Sequence, residues 1–174
     1  MKKLIVLRGV PGSGKSHEAT RIRNEAISDG KTSKIHSTDS YFLVTESGSD
    51  PKYVFDQNKI GDYHRQNQQA ARQSMKSGVD VVIIDNTNTR FREFYDYVFS
   101  AVDQGYEVEF VEPSSPWWCS VKPLLHGHRS EKKLTEHAKT FTKRNAHGVP
   151  ENAIMRMLVR WECDPTVENV LNAN

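Results

Sequence analysis

"GVPGSGKS", Gly9–Ser16, decides how the rest of the chain is read. The eight residues fit the pattern G-x-x-x-x-G-K-[S/T] at every fixed position. Before them, "KLIVLRG" has the short, nearly continuous apolar run of a buried parallel strand. After them, "KSHEATRIRNEAISDG" reads as a helix stopped by Gly30. Strand, glycine-rich turn and helix start together make an anion cradle. Glycines let successive N–H groups face one anion, and the new helix adds its positive end. In such a cradle Lys15 brings a full charge to the β- and γ-phosphates of a nucleotide, and Ser16 offers a hydroxyl to Mg²⁺.

Working outward, "KTSKIHSTD" predicts a short second strand, and "ESGSDPK", residues 46–52, a loop. "DQNKIGDYHRQNQQAARQSMKSG" predicts a polar helix with Ile60, Ala70, Ala71 and Met75 inward. "VDVVIID" is the clearest strand in the chain. "TRFREFYDYVFSAVDQG" predicts an amphipathic helix with Phe91, Phe94, Tyr95, Val98 and Val102 on one face. "YEVEFVE" alternates as a fourth strand, and "PSSPWWC" breaks the pattern. Residues 120–147 are partly helical and basic, and "VPENAIMRMLVRWEC" is a helix with Pro150 near its first turn. The tail "DPTVENVLNAN" is ambiguous, a candidate edge strand. Strand, loop and helix in alternation are the grammar of an α/β fold with a parallel sheet.

A chain of 174 residues suits one domain, 1–174, and at 36% apolar and 26% charged residues it reads as an ordinary globular protein. Charge is unevenly spread. Between Trp117 and Asn145 seven basic residues face two acidic ones, a net +5, which leaves −3 for the rest of a chain whose total is +2. Such a segment suits either an anion grip or a solvated helical face. Two cysteines, Cys119 and Cys163, make no disulfide framework. The apolar run "LIVL" in "MKKLIVLRG" is too short for a secretory leader, and no run approaches membrane-spanning length. A cytoplasmic location with no membrane partner is the expectation.

Asp85 ends "VVIID", at the strand tip where such sheets bind ligands, and is read as a holder of metal-bound water. Asn88 is the better placed cap for the helix that follows. The N-K-x-D guanine motif of GTPases does not occur. A basic segment after the fourth strand, about 117–147, is what a small kinase needs as a lid, to exclude water and to neutralise the transferring group. A kinase also needs a base facing the γ-phosphate. Asp39, at the tip of the second strand, is placed for that role. Cys119, His126, His128 and His137 fit no familiar zinc spacing. Trp117 and Trp118 either pack the lid hinge, the favoured reading, or stack on a base, and Arg90 and Arg92 either touch acceptor phosphates or face water.

The runs "RGVPGSGKS", "STDSYF", "VVIIDNTNTRFREFYDYV", "GYEVEFVEPSSPW" and "KRNAHGVPENAIMRM" occur in order over most of the chain. Together they resemble the P-loop 5′-polynucleotide kinases. The chain is most similar to a small single-domain group that includes the kinase part of certain ubiquitin-ligase-binding proteins. It is similar, more distantly, to the kinase half of the phage-type polynucleotide kinase–phosphatase. "IDNTNT" and "RNAHGVP" are the specific blocks, whereas the phosphate loop is generic. The resemblance implies ATP- and Mg²⁺-dependent phosphoryl transfer to the 5′-hydroxyl of a DNA or RNA end. It implies Gly12, Ser13, Gly14, Lys15, Ser16 and His17 at ATP (or another NTP) and Ser16 and Asp85 at the metal. It further implies Asp39 as general base, Arg144 as a lid arginine on the phosphates, and Asn86 and Asn88 by the acceptor channel. Arg90 and Arg129 join them as acceptor-side candidates. Departures are Ser40 where a second Asp is frequent, Phe42 in place of an acceptor-binding arginine, His17 in place of Thr, and a long lid, "SVKPLLHGHRSEKKLTEHAKTFT".

The expected architecture is a three-layer P-loop kinase fold, its central parallel sheet ordered 2-3-1-4 with room for a fifth strand, under a basic helical lid. A small-molecule kinase of the same fold and a nucleotide-gated adaptor without transfer activity remain the alternatives. Lid charge favours a polymer acceptor, and an adaptor has no need of Asp39.

Overall fold

The computed structural model describes every residue except Glu46, Ser47, Ser49 and Asn174. Four parallel strands form the central sheet: β1 (Lys3–Leu7), β2 (Ser33–His36), β5 (Val81–Asp85) and β6 (Glu107–Val111), in the order β2-β5-β1-β6. Counting these strands alone, that is the expected 2-3-1-4. β1 lies between β5 and β6, with Leu7 opposite Asp85, so the strand feeding the phosphate loop and the strand ending in a carboxylate finish at the same level. All five residues of β5 are buried, as its unbroken apolar run requires.

Helices cover both faces. α1 (Lys15–Ser28) packs Ala19 and Ala26 against Ile5, Leu7, Val81 and Ile83. On the opposite face α2 (Ile60–Lys76) and α3 (Tyr95–Asp103) enclose Leu4, Val6, Val82 and Ile84. The inward stripe of α2 is Asn67, Ala71, Ser74 and Met75, while Ile60 is exposed and Ala70 half-buried. That of α3 is Phe94, Tyr97, Val98 and Ala101, leaving Val102 to solvent. Both stripes follow the helical period, one residue out of phase with part of the expected set. A 3₁₀ turn, Phe91–Glu93, precedes α3.

Three elements differ from expectation. β3 (Leu43–Val44) and β4 (Lys52–Tyr53) form a two-residue antiparallel hairpin too short to leave a periodic signal. The loop expected at 46–52 falls partly outside the described residues, and its last residue belongs to β4. "PSSPWWC" opens a helix rather than breaking one: in α4 (Pro116–His126) Pro116 occupies the first turn and the Ser115 hydroxyl accepts from the Trp118 N–H. The tail adds a helix, α7 (Val167–Leu171), instead of an edge strand. Thr166 caps it, and Val167, Val170 and Leu171 pack into the core beside α3.

α4, α5 (Glu131–Arg144) and α6 (Glu151–Val159) share a second core, built from Trp118, Val121, Leu125, Leu134, Phe141, Ile154, Leu158 and Trp161. Val10 of the phosphate loop enters the same cluster. The basic segment is therefore amphipathic, charged outside and packed on the loop inside.

Candidate active site

The phosphate loop is shaped by two left-handed glycines, Gly12 (φ 80°) and Gly14 (φ 99°). Gly12 admits no side chain: a Cβ there would lie 2.5 Å from the Phe141 carbonyl oxygen and 3.1 Å from the Asn145 nitrogen. Around it the lid is fastened to the loop. Trp117 Nε1 donates to the Gly12 carbonyl (2.9 Å), and the Ser115 hydroxyl donates to the Ser13 carbonyl (2.8 Å). α1 opens at Gly14 with no side-chain cap, so its first N–H groups are left for an anion. Ser13 is buried and its hydroxyl finds no partner among the described residues, a polar group aimed into the loop. These features fit a nucleotide's phosphates.

Lys15 is buried, with Nζ 3.3 Å from the Val10 carbonyl. Burial lowers its pKa, and the charges of Asp85 and then Asp39 oppose that shift. One ammonium therefore senses both candidate carboxylates. Ser16 is exposed at the start of α1, and Asp85 is buried at the tip of β5. A hydroxyl and a carboxylate are oxygen donors of the sort Mg²⁺ takes. His17 is exposed on α1.

Asp39 sits on a 3₁₀ turn, Thr38–Phe42. Its neighbour Thr38 is buried, donates its N–H to Asn86 Oδ1 (2.9 Å) and meets His64 Nδ1 through its hydroxyl (3.2 Å). The turn is thus tied to the residue that follows Asp85. Asp39 itself is half-exposed; its Oδ1 accepts from the Tyr53 hydroxyl (3.1 Å), and its Oδ2 lies 3.7 Å from His147 Nε2. The Tyr53 and His147 rings stack at 4.1 Å. Burial, then the Asp39 charge, push the Tyr53 pKa up, and burial lowers that of His64. Phe42 is buried among Tyr53, Phe55 and Tyr63, so it cannot meet an acceptor phosphate where an arginine would.

Arg144, at the end of α5, lays its guanidinium 3.8 Å from the Trp117 ring centre, a cation–π contact beside Gly12. Asn145 closes α5 by donating to the Thr142 carbonyl (2.9 Å) and accepting from the Val149 N–H (2.8 Å). That bond pair shapes "RNAHGVP" and brings His147 back toward Asp39.

Other acceptor-side candidates lie elsewhere. Asn88 points inward: it is buried, adopts φ 49° and donates to the Leu7 carbonyl (2.7 Å), so it neither caps a helix nor faces an acceptor. Among the described residues no side-chain cap hydrogen bond opens either the 3₁₀ turn or α3; Glu93 instead accepts from the Thr89 N–H (2.8 Å) in the preceding turn. Asn86 is engaged by Thr38, and its Nδ2 lies 3.4 Å from the Tyr97 hydroxyl. Arg129 donates to the carbonyls of Leu125, Val159 and Trp161, closing the ends of α4 and α6, with no donor aimed at the phosphate loop. Arg90 is exposed on the rim of a separate groove.

Residues that sequence reasoning missed are Tyr53, His147, Trp117 as a loop clamp, and Arg8. Arg8 is fully buried, donates to the carbonyls of Asn88 (2.9 Å), Thr89 (3.2 Å) and Glu162 (2.6 Å), and packs under the Trp161 ring at 4.4 Å. Burial lowers its pKa to about 10. A charge ending an apolar strand just before Gly9 was the signal available for it.

Among the described residues no helix is long and apolar enough to cross a membrane. The AAA domain family matches residues 4–162. Human NEDD4-binding protein 2 is 32% identical over 171 residues, 98% of this chain but only 8% of that protein's length. Two solved structures share the fold. A chain of the Pnkp1/Rnl/Hen1 RNA repair complex aligns over 91% of this chain and 43% of its own, at 18% identity and TM-score 0.58. A gluconokinase from Sinorhizobium meliloti aligns over 98% and 88%, at 16% identity and TM-score 0.50. The matched span covers well over half of the chain and includes the phosphate loop, so the chain belongs to the AAA domain family.

Proposed function

We propose that the chain transfers the γ-phosphoryl group of ATP to the 5′-hydroxyl of a DNA or RNA end. The observation that carries this is the buried ammonium of Lys15 set within the fields of both Asp85 and the half-exposed Asp39. A phosphate-gripping cation with carboxylates of two different exposures is the set a phosphoryl transfer needs: one to hold metal, one to take a proton. Ser16 and Asp85 would hold Mg²⁺, which when bound neutralises charge on the β- and γ-oxygens. Lys15 and the N-terminus of α1 bind the phosphates. Arg144, already oriented by Trp117, stabilises charge on the transferring group. Asp39 accepts the acceptor hydroxyl's proton, and Tyr53 fixes the carboxylate's orientation. The lid, fastened at Gly12 and Ser13, excludes water from the reacting phosphoryl group. The run of blocks shared with 5′-polynucleotide kinases supports a nucleic-acid acceptor over a small one.

The test is γ-labelled ATP with 5′-hydroxyl DNA and RNA oligonucleotides beside a panel of nucleosides, nucleotides and sugars. Label on the oligonucleotides is expected. Label confined to a small molecule would replace this reading with a small-molecule kinase, and no label at all would leave an adaptor.

A further inference from the structure

A groove of 660 Å³ lies between α5 and α6, outside the phosphate-loop site, and four arginines line it: Arg90, Arg129, Arg156 and Arg160. One acidic residue, Glu131, opposes them. The four are not equivalent. Arg129 is committed to backbone carbonyls, and Arg160 bonds the Thr89 hydroxyl (2.9 Å) and pairs with Glu93 (3.3 Å). Arg90 and Arg156 are exposed, and no ion pair engages either among the described residues. Two anchored charges and two free ones thus converge on one concavity. Met155 and Val159 give it an apolar wall.

The groove is joined to the Asp39 neighbourhood by two segments. One is residues 86–90: Asn86 holds the turn that carries Asp39, and Arg90 stands four residues later. The other leaves His147, which touches Asp39, and continues as α6. At 1.5 Å per helical residue, Arg156 stands about 8 Å beyond the first residue of α6 and Arg160 a further turn on. Both are connections along the chain between the candidate base and the arginines, the first of them through buried Asn88 and Thr89.

A single small anion would not need two uncommitted guanidinium groups, Arg90 and Arg156, beside two anchored ones. A chain of regularly spaced phosphates would, and the apolar wall suits the sugar and base faces between them. Arginine rather than lysine suits it too, since the planar fork meets phosphate oxygens two at a time. We infer that this groove is the track for the acceptor strand, binding the phosphodiester backbone that trails from the 5′ end held at Asp39. The inference rests on the polynucleotide-kinase reading above.

The experiment is anisotropy titration of the full chain with a fluorescein-labelled single-stranded eight-nucleotide oligonucleotide over a range of salt, with no turnover required. Arg90→Gln and Arg156→Gln are each expected to weaken binding and to make the slope of log K against log salt shallower by about 0.7, the value for one fewer neutralised phosphate on a single strand. A glutamate-rich peptide is titrated in parallel. Wild-type affinity and slope in both variants overturns the inference. Loss of peptide binding with oligonucleotide binding intact also overturns it, and marks a protein partner instead. The labelled-ATP assay separates the two readings. Transfer to oligonucleotides by the wild type, with unchanged slopes in the variants, sinks the groove and leaves the kinase. Absence of transfer to any 5′ end sinks the kinase whatever the slopes show.

Discussion

At the scale of single residues, Asp39 carries the sharpest prediction. Asp39→Asn keeps an oxygen for the Tyr53 hydroxyl and so preserves the turn. ATP binding is expected to be unchanged and transfer to fall by about 10²–10⁴, the usual contribution of a general base. Near-normal transfer in rapid-quench assays would show that Asp39 is not the base. Gly12→Ala tests the clamp. Its Cβ would meet the Phe141 carbonyl at 2.5 Å in a left-handed backbone, so melting temperature and ATP affinity should both drop. The conformational strain alone is worth about 1–2 kcal/mol. Positions at this scale were legible only where a pattern fixes an atom's neighbours. The place of Lys15 within the loop follows from the motif, because spacing there dictates geometry. Asn88, expected by the acceptor channel, instead donates to the Leu7 carbonyl, because a polar side chain next to a motif can as readily turn inward to the backbone. Nothing local in "SDPKYVF" tells that Tyr53 comes back to Asp39, since the contact is made by a hairpin and not by a period.

At the scale of elements, the join between α4 and the phosphate loop is the most informative. Trp117→Phe keeps a ring beneath Arg144 but removes the indole N–H that serves the Gly12 carbonyl. The expected loss is about 1 kcal/mol, read as a lower melting temperature and weaker ATP binding, with little change in the chemical step. An unchanged nucleotide affinity would mean that the clamp has no part in binding. β5 and β1 were legible because strands buried on both faces need unbroken apolar runs. β3 and β4 were not, since a pair of two-residue strands with only Tyr53 partly buried leaves no such mark. The start of α4 could have been read: Ser115 followed by Pro116 is a cap and a first-turn proline. The two prolines suggested a break instead. In the tail, Thr166 is likewise a helix signal that a β-branched run obscured.

At the scale of the whole molecule, Arg8 links the layers. It begins on the sheet side, crosses to the 88–89 turn and reaches Glu162 beyond α6. Arg8→Met leaves the Asn88 and Glu162 carbonyls short of a donor, while the Thr89 carbonyl keeps the Glu162 N–H. Chemical denaturation should show a loss of about 2 kcal/mol or more, at about 1–3 kcal/mol for each unmet group. Stability should also fall with acid. His36, His64 and His137 are all held below the ordinary histidine pKa by burial. The unfolded chain therefore takes up protons that the folded one resists, so stability present at pH 7.5 is lost as pH falls through about 6.5. Melting curves at pH 7.5 and 5.5 check this, and His64→Gln should narrow the gap between them. The alternation of strands and helices made a parallel sheet legible, while its order was expected only from the resemblance to P-loop kinases. The second core was not legible, because basic residues on its outer face masked its apolar interior.

That second core has an optical consequence. The chain contains three tryptophans, and all three, Trp117, Trp118 and Trp161, belong to the α4–α6 cluster, none to the sheet layers beneath it. Intrinsic indole emission therefore reports the α4–α6 cluster, Trp117 and Trp118 from the lid and Trp161 from its seat on Arg8, while far-ultraviolet dichroism sees every element. On titrating ATP, emission should shift with lid seating and saturate with nucleotide. On heating, emission running ahead of dichroism would reveal a lid that melts first, and coincident curves would show that lid and sheet unfold as one body.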